Sequence, residues 1–536
     1  MSFVRSAAPA SRTCKRCSLP RPPRFCFSPS LVRRYNSASV PTPLSHPVST
    51  APFAPPPSKA YGQPLPSTHP HLLQPGELTL GITAKEYEQR RRALVNRLED
   101  GAFVVIAGGK TVYMSQNIFY RFRQRSNFWY LTGFEGPDSA LVLQKDSSAR
   151  GYRMIMFVRP KDTYDELWNG SRSGIEGACE VFGADEAFDS THFATRLRSI
   201  LSSRSSAAVY IDLPDISPSS TTRARSHRSP SRTFLSYLSG TPTPRSETDE
   251  MLEALGKREL RSAAREVERL RLIKSEAEVK VMRKAADISS AAHAEVMRLC
   301  TPGMSEHTLV SSFEYHTSLA GSVRPAYVPV CGSGAQALTI HYLDNNRRCE
   351  DGEMVLIDAG CEYGGYASDI TRTFPVNGTF STAQSHLYEA VLRVVKATTR
   401  ACAASNNLSL EDLHRISVDA TRTELRDLGF NLRGGDLERT LYPHFVSHPI
   451  GVDLHDTMSF TRDQKIQAGM AITIEPGLYV PPHSNFPKGF HNQVVRIEDE
   501  VLVREDDYVV LSVDAPKERV DVEAKCQGLL DGVVKA

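Results

Sequence analysis

The stretch VLIDAGCEYGGYASDITRTFP, Val355 to Pro375, carries an apolar run that ends on an acid and meets a second acid eleven residues later. MVLID (Met354–Asp358) has the composition of a buried strand, yet it closes on Asp358. Gly364, Gly365 and Ala367 precede Asp369, and glycines there suit a tight return of the chain. Two later stretches repeat the pattern of an apolar strand carrying an acid. MAITIEPGLYV (Met470–Val480) places Glu475 after Ile474, and QVVRIEDEVLV (Gln493–Val503) places Glu498 inside a β-rich run. Isolated carboxylates in such places are costly unless paired or metal-bound.

Between the first strand and these two, FVSHPIGVDLHD (Phe445–Asp456) holds His448 and His455. Each feature alone has an ordinary explanation. An Asp at a strand end is commonly a turn or cap residue. A lone His is commonly a surface or satisfied core group, and Glu475 before Pro476-Gly477 reads as a turn residue. Joint occurrence in one domain changes the reading. Four carboxylates and an imidazole form an oxygen-rich set that suits Mn²⁺ or Mg²⁺ and tolerates Co²⁺ or Zn²⁺. Four negative charges exceed what one divalent ion balances, so the set points to two ions. A pair of such ions activates water and polarises a carbonyl at neutral pH, which is hydrolytic chemistry.

The chain has 536 residues, 40% hydrophobic and 23% charged, the composition of a globular protein with more than one domain. No stretch approaches the apolar length that spans a bilayer. The net charge of +3 conceals an asymmetry: residues 1–76 hold nine Lys or Arg and no acid, which leaves the remainder at −6 (3 − 9). A basic, acid-free start rich in Arg and Ser predicts an organelle transit peptide rather than a secretory signal. The alternative is a basic arm that binds nucleic acid. LVRRYNSAS (Leu31–Ser39) looks like a mitochondrial processing site, and prolines at 20, 22 and 23 keep any presequence helix short. The ten cysteines include one CxxC, Cys14 and Cys17, with no second pair; they suit a reducing interior better than a disulfide framework.

These signals predict a targeting peptide over 1–35, a Pro/Ser-rich linker over 36–76, an α/β domain over 77–250, a second domain over 251–513 and a tail over 514–536. Thr83 with Glu86, and Ser275 with Glu278, have the spacing of helix-opening capping boxes. Residues 202–233, rich in Ser and Arg, predict a disordered surface insertion. A phosphorylatable or RNA-contacting segment is the functional alternative there.

In this order, LIDAGCEYGGYASDITRTFPVNG, SHPIGVDLHD, ITIEPGLYV and VRIEDEVLV resemble the pita-bread metallopeptidases, above all aminopeptidase P. RRRALVNRL, NFWYLTGFEGP and DELWNG look like that family's N-terminal domain, so the resemblance spans about Lys85 to Val513. It implies an α/β fold with an N-terminal domain and a catalytic domain of a curved, mainly antiparallel sheet flanked by helices. It also implies two divalent ions, manganese first. Asp358 would bind one ion, Asp369 and Glu498 would bridge both, and His448 and Glu475 would complete the second site. Glu475 would be the proton shuttle. His341 (ALTIHY) and His455 would contact substrate and stabilise the tetrahedral intermediate, and His444 would line the pocket. Arg496 would orient the site, and Trp168 would reach the substrate channel of a neighbouring subunit in a homo-oligomer. Two departures touch the pocket: Asn492 and Val494 stand where the family has glycines before Arg496, and Pro449 where an aromatic follows the ligand His.

The expected substrate is a peptide or protein N-terminus, with no nucleic-acid partner and no integral membrane segment. With the leader, the likeness is nearest to mitochondrial members that trim one residue after the processing peptidase, in the matrix or at the inner membrane, with a nuclear pool allowed. A proline-requiring Xaa-Pro aminopeptidase or prolidase, and a non-catalytic pita-bread binding protein, are the alternatives.

Overall fold

The computed structural model describes residues 61–204, 206–214, 216 and 247–529. The predicted targeting peptide, the Cys14/Cys17 pair and most of the Ser/Arg-rich insertion lie outside the described residues.

The N-terminal domain is built on a six-stranded mixed sheet. Its order is Leu260–Ser262, Val209–Asp212, Phe103–Ala107, Ala140–Lys145, Tyr152–Val158, Glu186–Asp189. Successive side chains of a strand point to opposite faces, and both faces here are covered, so FVVIA reads as an unbroken apolar run. Val104 and Ile106 pack with Leu94 and Val95 of the helix Ala84–Asn96. Phe103 and Val105 pack on the other side with Leu197 and Leu201 of Phe193–Ser202, and with Leu255 of Glu247–Leu255.

Four boundaries differ from the sequence reading. The helix Glu247–Leu255 and the edge strand Leu260–Ser262 complete the N-terminal sheet and its core, so this domain runs past 250 to Ser262. Val209–Asp212, inside the predicted insertion 202–233, is an interior strand paired with Phe103–Ile106; four apolar-rich residues were masked by the Ser/Arg composition around them. Within the predicted linker, the Tyr61 hydroxyl bonds Glu180 (2.6 Å) and the Gln63 amide donates to the Gly133 carbonyl (3.0 Å). Past 514, the Ala515 and Pro516 carbonyls accept from Arg372, and Val522 of the helix Arg519–Cys526 is buried in the catalytic core.

In the catalytic domain every strand pairing is antiparallel among the described residues. Met354–Asp358 lies between Val330–Ser333 and Thr371–Pro375. Ala471–Ile474 pairs with Asp499–Val503, and Gly477–Val480 with Gln493–Arg496. The Glu498 N–H donates to the Thr371 carbonyl (3.1 Å) and the Thr373 hydroxyl to the Arg496 carbonyl (3.0 Å), joining these pairs into one surface. The helix Glu276–Leu299 opens with the predicted Ser275/Glu278 capping box, and Thr382–Thr399 and Leu410–Asp427 cover the apolar side. The two stretches read as single strands are each interrupted at the acid, the first beside Pro476, which has no N–H for a ladder. The seven described cysteines are free, and no described helix is long and apolar enough to cross a membrane.

Candidate metal centre

The two aspartates come together because the chain between them doubles back. Asp358 pairs with Thr371, and Cys361–Tyr363 pairs with Tyr366–Ala367 about Gly364 and Gly365, whose φ angles are +56° and +83°. Positive φ at both central residues is the turn that suits a two-residue hairpin and favours glycine. The return is also tight at its base: a Cβ on Gly360 would lie 1.8 Å from the Ser368 carbonyl oxygen.

On this hairpin and the strand breaks, donor atoms of Asp369, His448 and Glu498 all lie within 4.8 Å of one another. Asp358 and Glu475 stand beside this trio. The Tyr327 hydroxyl is 2.5 Å from Asp358 Oδ1 and 2.7 Å from Asp369 Oδ1, and His448 Nε2 is 3.4 Å from Asp369 and 3.7 Å from Glu475. Burial raises Asp358 against the pull of Arg496, and burial with the charges of Asp369 and Glu475 holds Glu498 well above the carboxylate range. Burial, reinforced by Asp369 and Asp358 and opposed by His448 and Arg496, pushes Glu475 up to about 7. Burial pulls His448 down, but the hydrogen bond to Asp369 and the charges of Glu475 and Asp369 outweigh it and raise it to about 9. One phenolic proton cannot satisfy two carboxylate oxygens, and like charges this close resist joint ionisation. Divalent cations among these donors remove both problems, so the donor set fits them.

A second ring of groups holds the acids. Arg496 donates from Nη2 to Asp358 (2.5 Å), from Nη1 to the Tyr479 hydroxyl (2.6 Å) and from Nε to Thr371 (3.0 Å). The Thr371 hydroxyl also donates to Glu498 (2.7 Å). His444, 3.8 Å from Glu475 and 3.2 Å from the Tyr479 hydroxyl, is pulled down to about 3 by burial and by Arg496. His455 packs its ring edge-on against His448, with centroids 4.4 Å apart, and is lowered by burial and by His448. His341 is exposed and lies within electrostatic reach of His444 and His455. Trp168 is not brought here: it stands 72% exposed on the N-terminal-domain helix Thr163–Asn169.

Sequence reasoning missed Tyr327, Thr371 and Tyr479. Thr371 lies opposite Asp358 in the strand register, and Tyr479 lies beyond the break at Glu475 and Pro476, so strand alternation counted from the acids reaches neither. Tyr327 carries no spacing signal.

Two family models match the chain, Metallopeptidase family M24 over residues 280–505 and the N-terminal domain of aminopeptidase P over residues 87–210. Intermediate cleaving peptidase 55 of Saccharomyces cerevisiae is 36% identical, covering 86% of this chain and 88% of the relative. Xaa-Pro aminopeptidase 3 of Mus musculus is 39% identical, covering 88% of this chain and 91% of the relative. The chain belongs to metallopeptidase family M24. The crystal structure of Icp55 from Saccharomyces cerevisiae, lacking its N-terminal 58 residues, superposes with a TM-score of 0.73 at 34% identity, covering 85% of this chain and 100% of that one. The fold is therefore the aminopeptidase P arrangement, an N-terminal domain followed by a pita-bread domain, and the activity class is metallo-aminopeptidase.

Proposed function

We propose that the chain removes single N-terminal residues from proteins imported into mitochondria, after the processing peptidase has cut. Asp358, Asp369, His448, Glu475 and Glu498 would hold two divalent ions, manganese first. The convergence of Asp369, His448 and Glu498 donors within 4.8 Å, flanked by the other two acids, carries this reading. When bound, the ions would polarise the scissile carbonyl and make water a nucleophile at neutral pH.

The chain's own groups have distinct tasks. Glu475, flanked by His444 and His448, is a carboxylate placed to take a proton from the attacking water and pass it to the leaving amine. His455 and His341 offer N–H groups to the negative charge that develops on the carbonyl oxygen. Arg496, clamped by Tyr479 and Thr371, fixes the direction of the Asp358 carboxylate. His444, held neutral, presents a hydrogen-bonding edge to the pocket beside Glu475.

The basic, acid-free leader supports mitochondrial import, and Tyr35 after Arg33-Arg34 would itself be a trimming substrate. The decisive experiment compares mature N-termini of the mitochondrial proteome in cells carrying the parent protein or Glu475→Gln. Unchanged N-termini would overturn the trimming role. The mouse relative's name favours a second reading, in which proline is required at position two. Turnover of Tyr-Ala-Ala against Ala-Pro-Ala separates the two, and an X-Pro dipeptide tests for prolidase. The non-catalytic reading predicts no peptide release and no bound metal. Tyr164, Leu167 and Trp168 form an exposed apolar cluster that supports self-association, with Trp168 serving a second copy. Light scattering of Trp168→Ala, with KM measured alongside, tests that assignment.

A further inference from the structure

The loop that runs from His448 to His455 ends in a buried ion cluster. Asp456, whose side chain is fully buried, pairs through one oxygen with Arg271 and through the other with Lys274 Nζ at 3.3 Å. Both cations are buried too, at 4% and 1% side-chain exposure. The same Arg271 guanidinium holds Asp453 at 2.5 Å and donates to the Asn127 side chain at 2.7 Å, on the N-terminal-domain helix Ser126–Thr132. His455 thus sits between two acids gripped by one arginine. Burying such charges is seldom a net stabiliser, so the cluster calls for a local reason.

The next residue supplies one. Thr457 has φ +49° while only 3% exposed, and its hydroxyl has no hydrogen-bond partner. A β-branched residue in the left-handed region is a true outlier. Such strain persists only where the surroundings over-determine it, and it concentrates at functional sites. The Asp456 N–H, donating to the Pro449 carbonyl at 2.9 Å, ties the strained segment back to the residue after His448.

We propose that Asp456 is a positioning residue: gripped by Arg271 and Lys274, it forces Thr457 into the left-handed conformation and thereby aims the His455 imidazole at the substrate. The N-terminal domain, through the bond of Asn127 to Arg271 on the following helix Ala263–Arg271, so contributes to the rate without touching substrate. This rests on the assignment of His455 as a substrate-facing group. If Thr457 relaxed to negative φ, the backbone before it would rotate and His455 would swing with it. Glycine at 457 would adopt the left-handed form without strain.

The test is a double-mutant cycle on the metal-loaded full chain, with kcat, KM and bound metal measured on a tripeptide the parent cleaves. Asp456→Asn should lower kcat roughly 10- to 100-fold, the cost of a small misplacement, with bound metal unchanged and KM shifted far less. Thr457→Gly alone should stay near the parent. Asp456→Asn/Thr457→Gly should recover most of the lost rate, because the strain that the clamp opposes is gone. Full kcat in Asp456→Asn, or a double variant no faster than the single, overturns the proposal. Should Asp456→Asn fail to fold, Lys274→Met and Lys274→Met/Thr457→Gly take its place. They should show a smaller loss and the same rescue; parental kcat in Lys274→Met, or no rescue, then overturns it. His455→Ala run in parallel distinguishes the premise from the clamp. Parental kcat in His455→Ala overturns the proposal through its premise, whereas a slow His455→Ala beside a fast Asp456→Asn overturns the clamp alone.

Discussion

The six-stranded N-terminal sheet and the strands of the catalytic domain bury very different side chains. In the N-terminal sheet, Phe103–Ile106, Ala140–Leu143 and Met154–Val158 are buried and apolar throughout. In the catalytic sheet, Thr371, Arg372, Thr373, Arg496, Glu498, Asp499 and Glu500 are buried on the strands and at their breaks. The first sheet gains its stability from area removed from water. The second forgoes much of that gain and keeps each polar group only by giving it a partner. Arg372 illustrates this, donating to Asp499 (2.9 Å) and to the carbonyls of Thr371 and Ala515. The N-terminal sheet is thus a scaffold, whereas the catalytic strands accept an energetic burden that crowds acids together.

The strongest way to break that contrast is to remove one of the acids gathered around His448. Asp369→Asn or Glu498→Gln should lower metal content and reduce kcat by more than about 1,000-fold, as read by metal analysis and peptide release. Near-parental activity in either variant would mean the crowded acids serve structure alone. His455→Ala should act next most strongly. It should keep its metal while kcat falls roughly 100- to 1,000-fold, the scale for losing a donor to a developing oxyanion. Loss of the metal itself would move His455 from the substrate side to the ligand set.

Metal removal sharpens the comparison through pH. Without cations, Glu475 holds its proton up to about 7 instead of the ordinary 4.5. The folded state then binds a proton that the unfolded chain has released, so stability is lost as pH rises from about 4.5 through about 7. His448, raised from 6.5 to about 9, contributes stability that is present below 6.5 and lost as pH climbs through about 9. Both trends run the same way. Bound ions require these ligands deprotonated. At a fixed metal concentration the Tm gain on loading should therefore widen from about pH 5 to about pH 8, reaching about 4–8 °C where that concentration is about 1,000 times Kd. A gain that shrinks as pH rises would contradict the assignment of these residues as ligands.

How far the sequence reveals this contrast depends on the range of the interactions. MVLID announces both its strand and the acid at its end, because a buried run and its interruption are local. The capping box at Ser275 is likewise local and is observed. The groups that hold the acids are not local. Tyr327 meets Asp358 from 31 residues away and Arg271 meets Asp456 across 185, with no periodicity linking either pair. His293, fully buried on a helix that reads as amphipathic, bonds the Ala359 carbonyl at 2.9 Å just past Asp358. Composition misleads at the edges for the same reason: the strand Val209–Asp212 is recognised by its sheet neighbours, not by the Ser/Arg-rich sequence around it.

The smallest expected effect on catalysis tests the scaffold side. Leu143 is fully buried on Ala140–Lys145, opposite Val104 of the adjacent strand and Met154 of the next. Leu143→Ala removes methyl groups from an apolar cluster that contains no acid of the metal centre, so it should cost about 2–5 kcal/mol of stability. Because its strand neighbours Val104 and Met154 lie on the N-terminal sheet and not on the strands that carry the acids, kcat per folded molecule and metal content should stay within about twofold of the parent, by denaturant titration beside active-site counting. A large fall in kcat at unchanged fold would show that the N-terminal sheet tunes the site directly. It would then stand with Asn127, which bonds Arg271 at the foot of the His455 loop, and the division between scaffold and strained centre would have to be drawn inside the N-terminal domain.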